Sequence, residues 1–274
     1  MSVLQQSLKR HNLRSLAKMK KEGQCISMLT AYDVVTASCL DKAGIDILLV
    51  GDSVGNVLYG FDSTLPVTMD MTLAHSAAVI RGSKRALVVA DLPFMSYQAD
   101  KKEAIKNAGR CLAEAGVQAV KLEGASDSIC ELIQALTEVG IPVMAHIGLT
   151  PQSVHQMGGF YKHGKDETNA QRIFKEAKKL QEAGAFALVL ECVEEGLAAK
   201  ITKDLSIITI GIGSGNVCDA EVLVINDLMG FTPGKSPSFA KPVFDLKTKM
   251  QEVASEFKNS IQKKRQVKEN VVTG

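Results

Sequence analysis

The sequence predicts an α/β protein in which eight parallel strands alternate with helices and close into a single (β/α)8 barrel, or TIM barrel. Three observations lead to this prediction: short apolar runs recur along 274 residues, helical segments separate them, and no change of composition marks a linker. Barrels of about 250 residues commonly form one domain. We expect one domain over residues 1–274, with an N-terminal helix at about 11–22 and a polar C-terminal tail at about 260–274.

The first element is a basic segment at residues 9–21, which has no acidic residue before Glu22. Leucines at positions 13 and 16 and Met19 have the spacing of one helix face, so we expect an amphipathic helix that packs under the barrel. A mitochondrial targeting peptide is the alternative for such a basic start.

A repeated transition from a helix through glycine into an apolar run predicts the strands. Gly44, Gly116, Gly140 and Gly184 each precede such a run. Glycine is expected just past a helix end, because the backbone turns left-handed there. Runs with little polar alternation are typical of parallel strands that are buried on both faces. The eight predicted strands are 25–30, 45–50, 86–90, 117–122, 141–145, 185–190, 207–210 and 222–225.

Helical spacing connects these strands, at 71–80, 102–115, 129–139 and 169–183 among others. A doubly wound open sheet is the structural alternative, because it also alternates strands and helices.

The composition of the chain argues against some classes of binding partner. Lys and Arg number 32 against 30 Asp and Glu, which leaves a net charge of +2 and no field to attract nucleic acid or a membrane surface. No apolar run reaches the roughly 18 residues of a membrane span. The six cysteines show no Cys-x-x-Cys spacing, so we expect free, mostly buried thiols and a cytoplasmic protein.

Charged residues follow the predicted strands and should converge on one rim of the barrel, where such enzymes place their chemistry. Asp52, Asp91 and Glu123 follow three successive strands, and crowded carboxylates need a cation or protons to relieve their repulsion. Oxygen ligands without thiolates suit Mg²⁺ or Mn²⁺. Lys121 lies on the same strand face as Glu123 and could bind an anionic substrate group, and structural ion pairing is the alternative.

Glu191 lies in an apolar strand end, a setting in which a carboxyl group exchanges protons near neutral pH. We therefore expect a catalytic acid or base, with helix capping as the alternative. Residues 157–166 are polar and carry Gly158 and Gly164 near their ends, which predicts either a lid over the rim or an ordinary mobile loop. The glycines between 211 and 215 miss the dinucleotide-binding spacing and predict a tight turn, with a phosphate-binding loop after the seventh strand as the alternative.

The same positions carry a close resemblance to the ketopantoate hydroxymethyltransferase (3-methyl-2-oxobutanoate hydroxymethyltransferase) family. It extends from about residue 13 to beyond residue 239, and several separate blocks occur in the family's order. The most specific blocks are residues 28–33, 49–53, 62–68, 90–94, 120–124, 148–154 and 189–193.

The resemblance implies a role for each candidate residue. The carboxylates of Asp52, Asp91 and Glu123 would surround Mg²⁺ or another divalent cation, and Glu191 would be the general base. The implied substrate-binding residues are Asp52, Ser53, Asp91, Lys121 and His146.

The resemblance also implies the reaction. Proton removal from C3 of 3-methyl-2-oxobutanoate would give a Mg²⁺-stabilised enolate, which attacks the one-carbon unit of 5,10-methylenetetrahydrofolate. The products would be 2-dehydropantoate and tetrahydrofolate, in pantothenate and coenzyme A biosynthesis. The implied assembly is a homo-oligomer, often a decamer in this family, and no nucleic acid or membrane partner is expected.

The sequence departs from the family pattern at three places. Ser214 stands where alanine is usual, Asn56 where methionine is frequent, and residues 161–164 read Tyr-Lys-His-Gly where Lys-Val-Gln-Gly is typical. Two other functions are left open. One is a magnesium-dependent lyase or mutase of the phosphoenolpyruvate mutase and isocitrate lyase group, although no Lys-x-Cys-Gly loop occurs. The other is a catalytically silent barrel that binds 2-oxo acids.

Overall fold

The computed structural model shows a closed barrel of eight parallel strands in chain order, and it describes residues 9–159 and 161–272, with side chains up to 265. Each strand pairs with the next, and β8 pairs with β1, so the predicted (β/α)8 barrel is confirmed and the open sheet is excluded. The strands are β1 (Ile26–Thr30), β2 (Ile47–Val50), β3 (Leu87–Asp91), β4 (Ala119–Glu123), β5 (Val143–Gly148), β6 (Ala187–Glu191), β7 (Ile208–Ile212) and β8 (Ala220–Leu223).

Helices follow the strands around the outside of the barrel. Several begin at side-chain caps, such as Asp33, whose carboxylate accepts the N–H groups of Val35 and Thr36. The helices are α1 (Leu13–Lys21), α2 (Val34–Ala43), α3 (Val54–Val57), α4 (Met69–Gly82), α5 (Lys101–Arg110), which continues as a π-helix (Cys111–Ala115), α6 (Asp127–Glu138), a 3₁₀ turn (Pro151–Ser153), α7 (Val154–Met157), α8 (Glu167–Glu182), α9 (Glu195–Asp204), α10 (Ile225–Leu228) and α11 (Leu246–Val272).

The amphipathic helix predicted at the N-terminus is α1, and it packs at the N-terminal ends of the strands. Its Leu16 is fully buried in the cluster that fills the barrel interior, and Leu13 and Met19 pack against the same cluster. The Lys20 ammonium donates to the carbonyl oxygen of Ile207 at 2.6 Å and to the Asp219 carboxylate at 2.8 Å. The end of the barrel opposite the predicted site is therefore closed by apolar packing.

The chain divides into two compact units, one up to Val224 and one from Ile225 onward. All eight strands lie in the first unit. The predicted eighth strand was wrong at its end, because β8 stops at Leu223 and Ile225 begins α10. A run of four apolar residues cannot by itself distinguish a strand from a first helical turn. The residues predicted as a polar tail continue α11 as far as Val272, and residues 273–274 lie outside the described part.

The cysteines are free thiols, as predicted, but most are not buried. Cys111 is buried, whereas Cys25 and Cys39 are exposed and the other three are intermediate. The expectation of mostly buried thiols was wrong, because cysteines on the outer helices and loops face solvent. Among the described helices, none combines the length and apolarity that a bilayer span requires.

Candidate active site

One cavity of about 580 Å³ at the carboxyl ends of the strands brings all the predicted site residues together. Strand register explains the arrangement, because Asp91 pairs with Lys121 across β3 and β4, and Glu123 pairs with His146 across β4 and β5. The predicted residues that line the cavity are Asp52, Ser53, Asp91, Lys121, Glu123, His146 and Glu191.

The centre of the site is a buried cluster of three carboxylates and one ammonium. The Lys121 Nζ atom donates to both carboxylate oxygens of Asp91 at 2.8 Å and lies 3.8 Å from Glu123 Oε1. The backbone N–H of Asp52 donates to Asp91 Oδ2 at 3.2 Å. All four residues are at most 6% exposed. The ion pairing considered as an alternative role for Lys121 is thus present in the site.

The charges of this cluster are not balanced. Burial, together with the Asp91 carboxylate, raises the pKa of Asp52 to about 7. Burial also raises the pKa of Asp91, against the effect of Lys121. Burial by itself would lower the pKa of Lys121. The neighbouring carboxylates together have the larger effect and raise the pKa of this ammonium group. The site therefore carries excess negative charge, which a bound cation or a proton would relieve.

His146 lies between two carboxylates at the edge of this cluster. Its Nδ1 atom is 3.4 Å from Glu123 Oε1, and its Nε2 atom is 3.2 Å from Glu191 Oε2. Burial and the Lys121 charge lower the pKa of His146, but these carboxylates outweigh both and raise it to about 9. The His146 ring thus lies between the buried cluster and Glu191, whose side chain is 15% exposed.

Ser53 lies directly after Asp52, at the start of α3. Its hydroxyl group is 2.8 Å from the hydroxyl group of Tyr32, which follows β1. Ser53 is one of the residues that line the cavity.

Two buried residues of the site were missed in the sequence. Gln152 donates from Nε2 to Asp52 Oδ2 at 3.0 Å, and its backbone N–H donates to Glu123 Oε2 at 3.1 Å. Tyr97 donates its hydroxyl proton to Gln152 Oε1 at 2.8 Å. Tyr97 lies in a loop after β3, and Gln152 lies in the 3₁₀ turn after β5. Neither is charged, so neither was singled out, although Gln152 belongs to the block 148–154 that carries the family resemblance.

The segment predicted as a lid or loop is attached to the rim beside Glu191. The backbone N–H of His163 donates to the carbonyl oxygen of Cys192 at 2.7 Å, and that of Glu194 donates to the carbonyl oxygen of His163 at 2.8 Å. Gly158 and Gly164 have φ of 75° and 82°, so both are left-handed turns at the ends of the segment. Phe160 lies outside the described residues, and a closing motion stays a prediction.

The carboxylates fit a divalent cation that is held only in part by the protein. In the part of the chain that the structure describes, no group of three or more His, Cys, Asp or Glu side chains is arranged so that it could hold a metal ion. Mg²⁺ usually binds one or two carboxylates and fills its other positions with water and substrate oxygens. The Asp52 and Asp91 carboxylates, buried in a site with excess negative charge, are suited to that mode.

Solved structures share this fold at low identity. A phosphoenolpyruvate phosphomutase from Streptomyces platensis subsp. rosaceus aligns with a TM-score of 0.63 and 14% identity, covering 92% of this chain and 88% of that one. A phosphonopyruvate hydrolase, solved with oxalate and Mg²⁺, aligns with a TM-score of 0.59 and 12% identity, covering 77% of this chain and 80% of that one. At these identities the likeness shows the barrel fold alone.

Curated proteins related in sequence have a much higher identity to this chain than these solved structures have. The 3-methyl-2-oxobutanoate hydroxymethyltransferase of Carboxydothermus hydrogenoformans is 54% identical over 90% of both chains. That of Syntrophus aciditrophicus is 56% identical over 83% of this chain and 84% of its own. A sequence model described as ketopantoate hydroxymethyltransferase matches residues 10–266. The resemblance seen in the motifs is confirmed: this chain belongs to the ketopantoate hydroxymethyltransferase family and is a transferase.

Proposed function

We propose that the protein transfers a one-carbon unit from 5,10-methylenetetrahydrofolate to C3 of 3-methyl-2-oxobutanoate, giving 2-dehydropantoate and tetrahydrofolate. The observation that carries this proposal is one cavity that is lined by the buried carboxylates of Asp52 and Asp91 and by the more accessible carboxylate of Glu191. Such a site would offer a cation position and a base within one cavity.

The Asp52 and Asp91 carboxylates would hold Mg²⁺ or another divalent cation, with Glu123 completing the acidic surroundings. When bound, the ion would supply Lewis-acid polarisation of the keto oxygen of a 2-oxo acid. The excess negative charge of the buried cluster supports this assignment, because a divalent cation would neutralise it.

The other residues bind, orient or move protons. Ser53 and Lys121 would contact the substrate carboxylate or keto group from the cavity wall. Glu191 would take the proton from C3, and the resulting enolate carbon would form the new C–C bond to the methylene carbon of the folate. Both C–N bonds of that carbon would break, water would supply the hydroxyl oxygen, and the proton from Glu191 and one from water would go to the two folate nitrogens. His146, 3.2 Å from Glu191 Oε2, would hold that carboxylate in place.

Proton–deuterium exchange at C3 tests the first half of this proposal. The exchange is followed by NMR on 3-methyl-2-oxobutanoate in D₂O, with and without Mg²⁺, before and after methylenetetrahydrofolate is added. We expect Mg²⁺-dependent exchange alone and 2-dehydropantoate once the folate is present. Well-folded protein that gives neither exchange nor product would contradict the proposal.

Glu191→Gln tests the assignment of the base. The amide keeps the shape of the side chain but cannot accept the proton, so exchange at C3 should fall by roughly 10²- to 10⁴-fold. Binding of Mn²⁺, measured by calorimetry, should stay as in the unsubstituted protein, because Glu191 lies outside the carboxylate pair. Exchange at the normal rate in this variant would remove Glu191 from the base role.

Asp91→Asn tests the cation position in the same assays. The substitution keeps the side-chain shape and removes one ligand charge, so both Mn²⁺ affinity and exchange should fall, by roughly 10-fold or more. The unfolding midpoint of the variant serves as the control for its fold. Normal Mn²⁺ binding by Asp91→Asn would show that the cation is held elsewhere.

A further inference from the structure

Gln152, in the 3₁₀ turn after β5, contacts residues at the carboxyl ends of β2, β3 and β4. Its Nε2 atom donates to Asp52 Oδ2 and to the carbonyl oxygen of Leu92, both at 3.0 Å. Its backbone N–H donates to Glu123 Oε2 at 3.1 Å. The residue is 5% exposed, so water does not compete for these bonds. One side chain and its own backbone thus engage two of the three carboxylates proposed around the cation.

Tyr97 determines which way the Gln152 amide faces. The hydroxyl group of Tyr97 accepts the backbone N–H of Glu123 at 3.0 Å and so directs its proton to Gln152 Oε1, 2.8 Å away. Gln98 Nε2 donates to the same Oε1 atom at 3.1 Å. A reversed amide would place its oxygen against the Asp52 carboxylate and the Leu92 carbonyl group, and its donors against other donors. Only one orientation therefore satisfies every group.

We infer that Gln152, oriented by Tyr97, is a positioning residue that holds the carboxylates of Asp52 and Glu123 in the geometry needed for the divalent cation. The inference rests on the proposed cation role of Asp52. Hydrogen bonds from outside a metal site orient its ligands, and their loss typically weakens metal affinity. Gln152 and Asp52 are 100 residues apart in the sequence, so the bond between them joins distant parts of the chain. The amide also donates to the carbonyl oxygen of Leu92, which fixes it to the backbone after β3.

Two variants separate this role from simple packing. Gln152→Met keeps the length of the side chain and removes the amide donors and acceptor, while the backbone N–H that donates to Glu123 stays, so this variant tests the hold on Asp52. Tyr97→Phe keeps the ring and removes the hydroxyl group that orients the amide and accepts the backbone N–H of Glu123, so it tests the network by a second route if Gln152→Met fails to fold. Tyr59→Phe is the matched control, because it removes an exposed tyrosine hydroxyl that contacts His75 and not the carboxylates.

The readouts are Mn²⁺ affinity by calorimetry, the rate and KM of C3 exchange, and the thermal midpoint of the metal-free protein. We expect Gln152→Met to lose roughly 10- to 100-fold in Mn²⁺ affinity, Tyr97→Phe to lose less, and Tyr59→Phe to match the unsubstituted protein. The exchange rate at saturating substrate should fall in the same order even where Mn²⁺ is saturating, because the carboxylates remain misaligned.

Unchanged Mn²⁺ affinity and exchange in folded Tyr97→Phe and Gln152→Met would overturn the positioning role and leave the proposed function intact. A lower thermal midpoint with unchanged affinity would overturn it too, because the network would then serve stability alone. If the unsubstituted protein neither binds Mn²⁺ nor exchanges the C3 proton, the proposed function fails first, and the inference fails with it.

Discussion

At the scale of single residues, Ser214 shows how one buried hydroxyl group joins two rim loops. It accepts the backbone N–H of Val193 at 2.9 Å and donates to the carbonyl oxygen of Leu190 at 2.8 Å. These two groups flank Glu191 and Cys192, and Cys192 is left-handed at φ 51°. The departure from the family pattern at position 214 therefore acts on the turn that carries the proposed base.

Ser214→Ala should lower the free energy of unfolding by about 1–2 kcal/mol, because a buried N–H group loses its partner. Urea unfolding followed by circular dichroism measures the change. Ser238→Ala, at an exposed position, is the control and should stay within about 0.5 kcal/mol. Equal stability of Ser214→Ala and the unsubstituted protein would mean that the turn finds other partners.

At the scale of elements, Asp41 joins the end of α2 to the entry of β3. Its carboxylate accepts three successive backbone N–H groups, those of Lys84 at 3.0 Å, Arg85 at 2.9 Å and Ala86 at 2.8 Å. Partial burial raises the pKa of Asp41, but these backbone hydrogen bonds outweigh burial and lower it below its usual value. The charged form therefore stabilises the fold.

Asp41→Asn should destabilise the protein by an amount that depends on pH. Because the folded pKa is depressed, the contribution of the carboxylate is fully present above the unfolded value of about 3.9 and is lost as pH falls through the folded value. The difference in unfolding free energy between the two proteins should be equal at pH 7 and pH 5.5 and should shrink below about pH 4. A difference that grows on acidification would contradict this origin.

Helix α1 provides a second test at this scale. Leu16 is fully buried at the closed end of the barrel, so Leu16→Ala should cost about 2–5 kcal/mol through lost burial and the cavity left behind. Lys18→Ala, in the same helix with a side chain that is 73% exposed, is the matched control. A small loss for Leu16→Ala, measured by urea unfolding, would show that α1 is not needed to close the barrel.

At the scale of the whole molecule, α11 carries large apolar side chains that are exposed. They follow one another at spacings of three and four residues, the pattern of one helix face, and such a face commonly packs against another chain. This pattern supports the proposed homo-oligomer, for which the family resemblance suggests a decamer. The residues are Met250, Val253, Phe257 and Ile261.

Light scattering after size exclusion tests the assembly. For a chain of 29.4 kDa we expect a particle of many subunits, about tenfold heavier for a decamer. Phe257→Glu should reduce that mass, because a charge on an apolar interface is costly. Asn259→Glu adds the same charge two residues further along the helix, on a different face, and should leave the mass unchanged. A monomer in the unsubstituted protein would contradict the oligomer.

The sequence by itself determined the barrel, the approximate strands and the rim on which Asp52, Asp91, Glu123 and Glu191 meet. These features could be predicted because apolar periodicity and glycine positions are local, and because parallel topology sends every strand end to the same side. The end of β8 could not be predicted, because a short apolar run is compatible with a strand and with a helix.

Only the tertiary structure decided how the site residues contact one another. It placed Lys121 on Asp91, His146 between Glu123 and Glu191, and Gln152 on Asp52 across 100 residues of chain. The physical reason is the short range of these contacts. A hydrogen bond depends on distances of about 3 Å between particular atoms, and such distances follow from how the loops pack above the barrel, which no local pattern in the chain records.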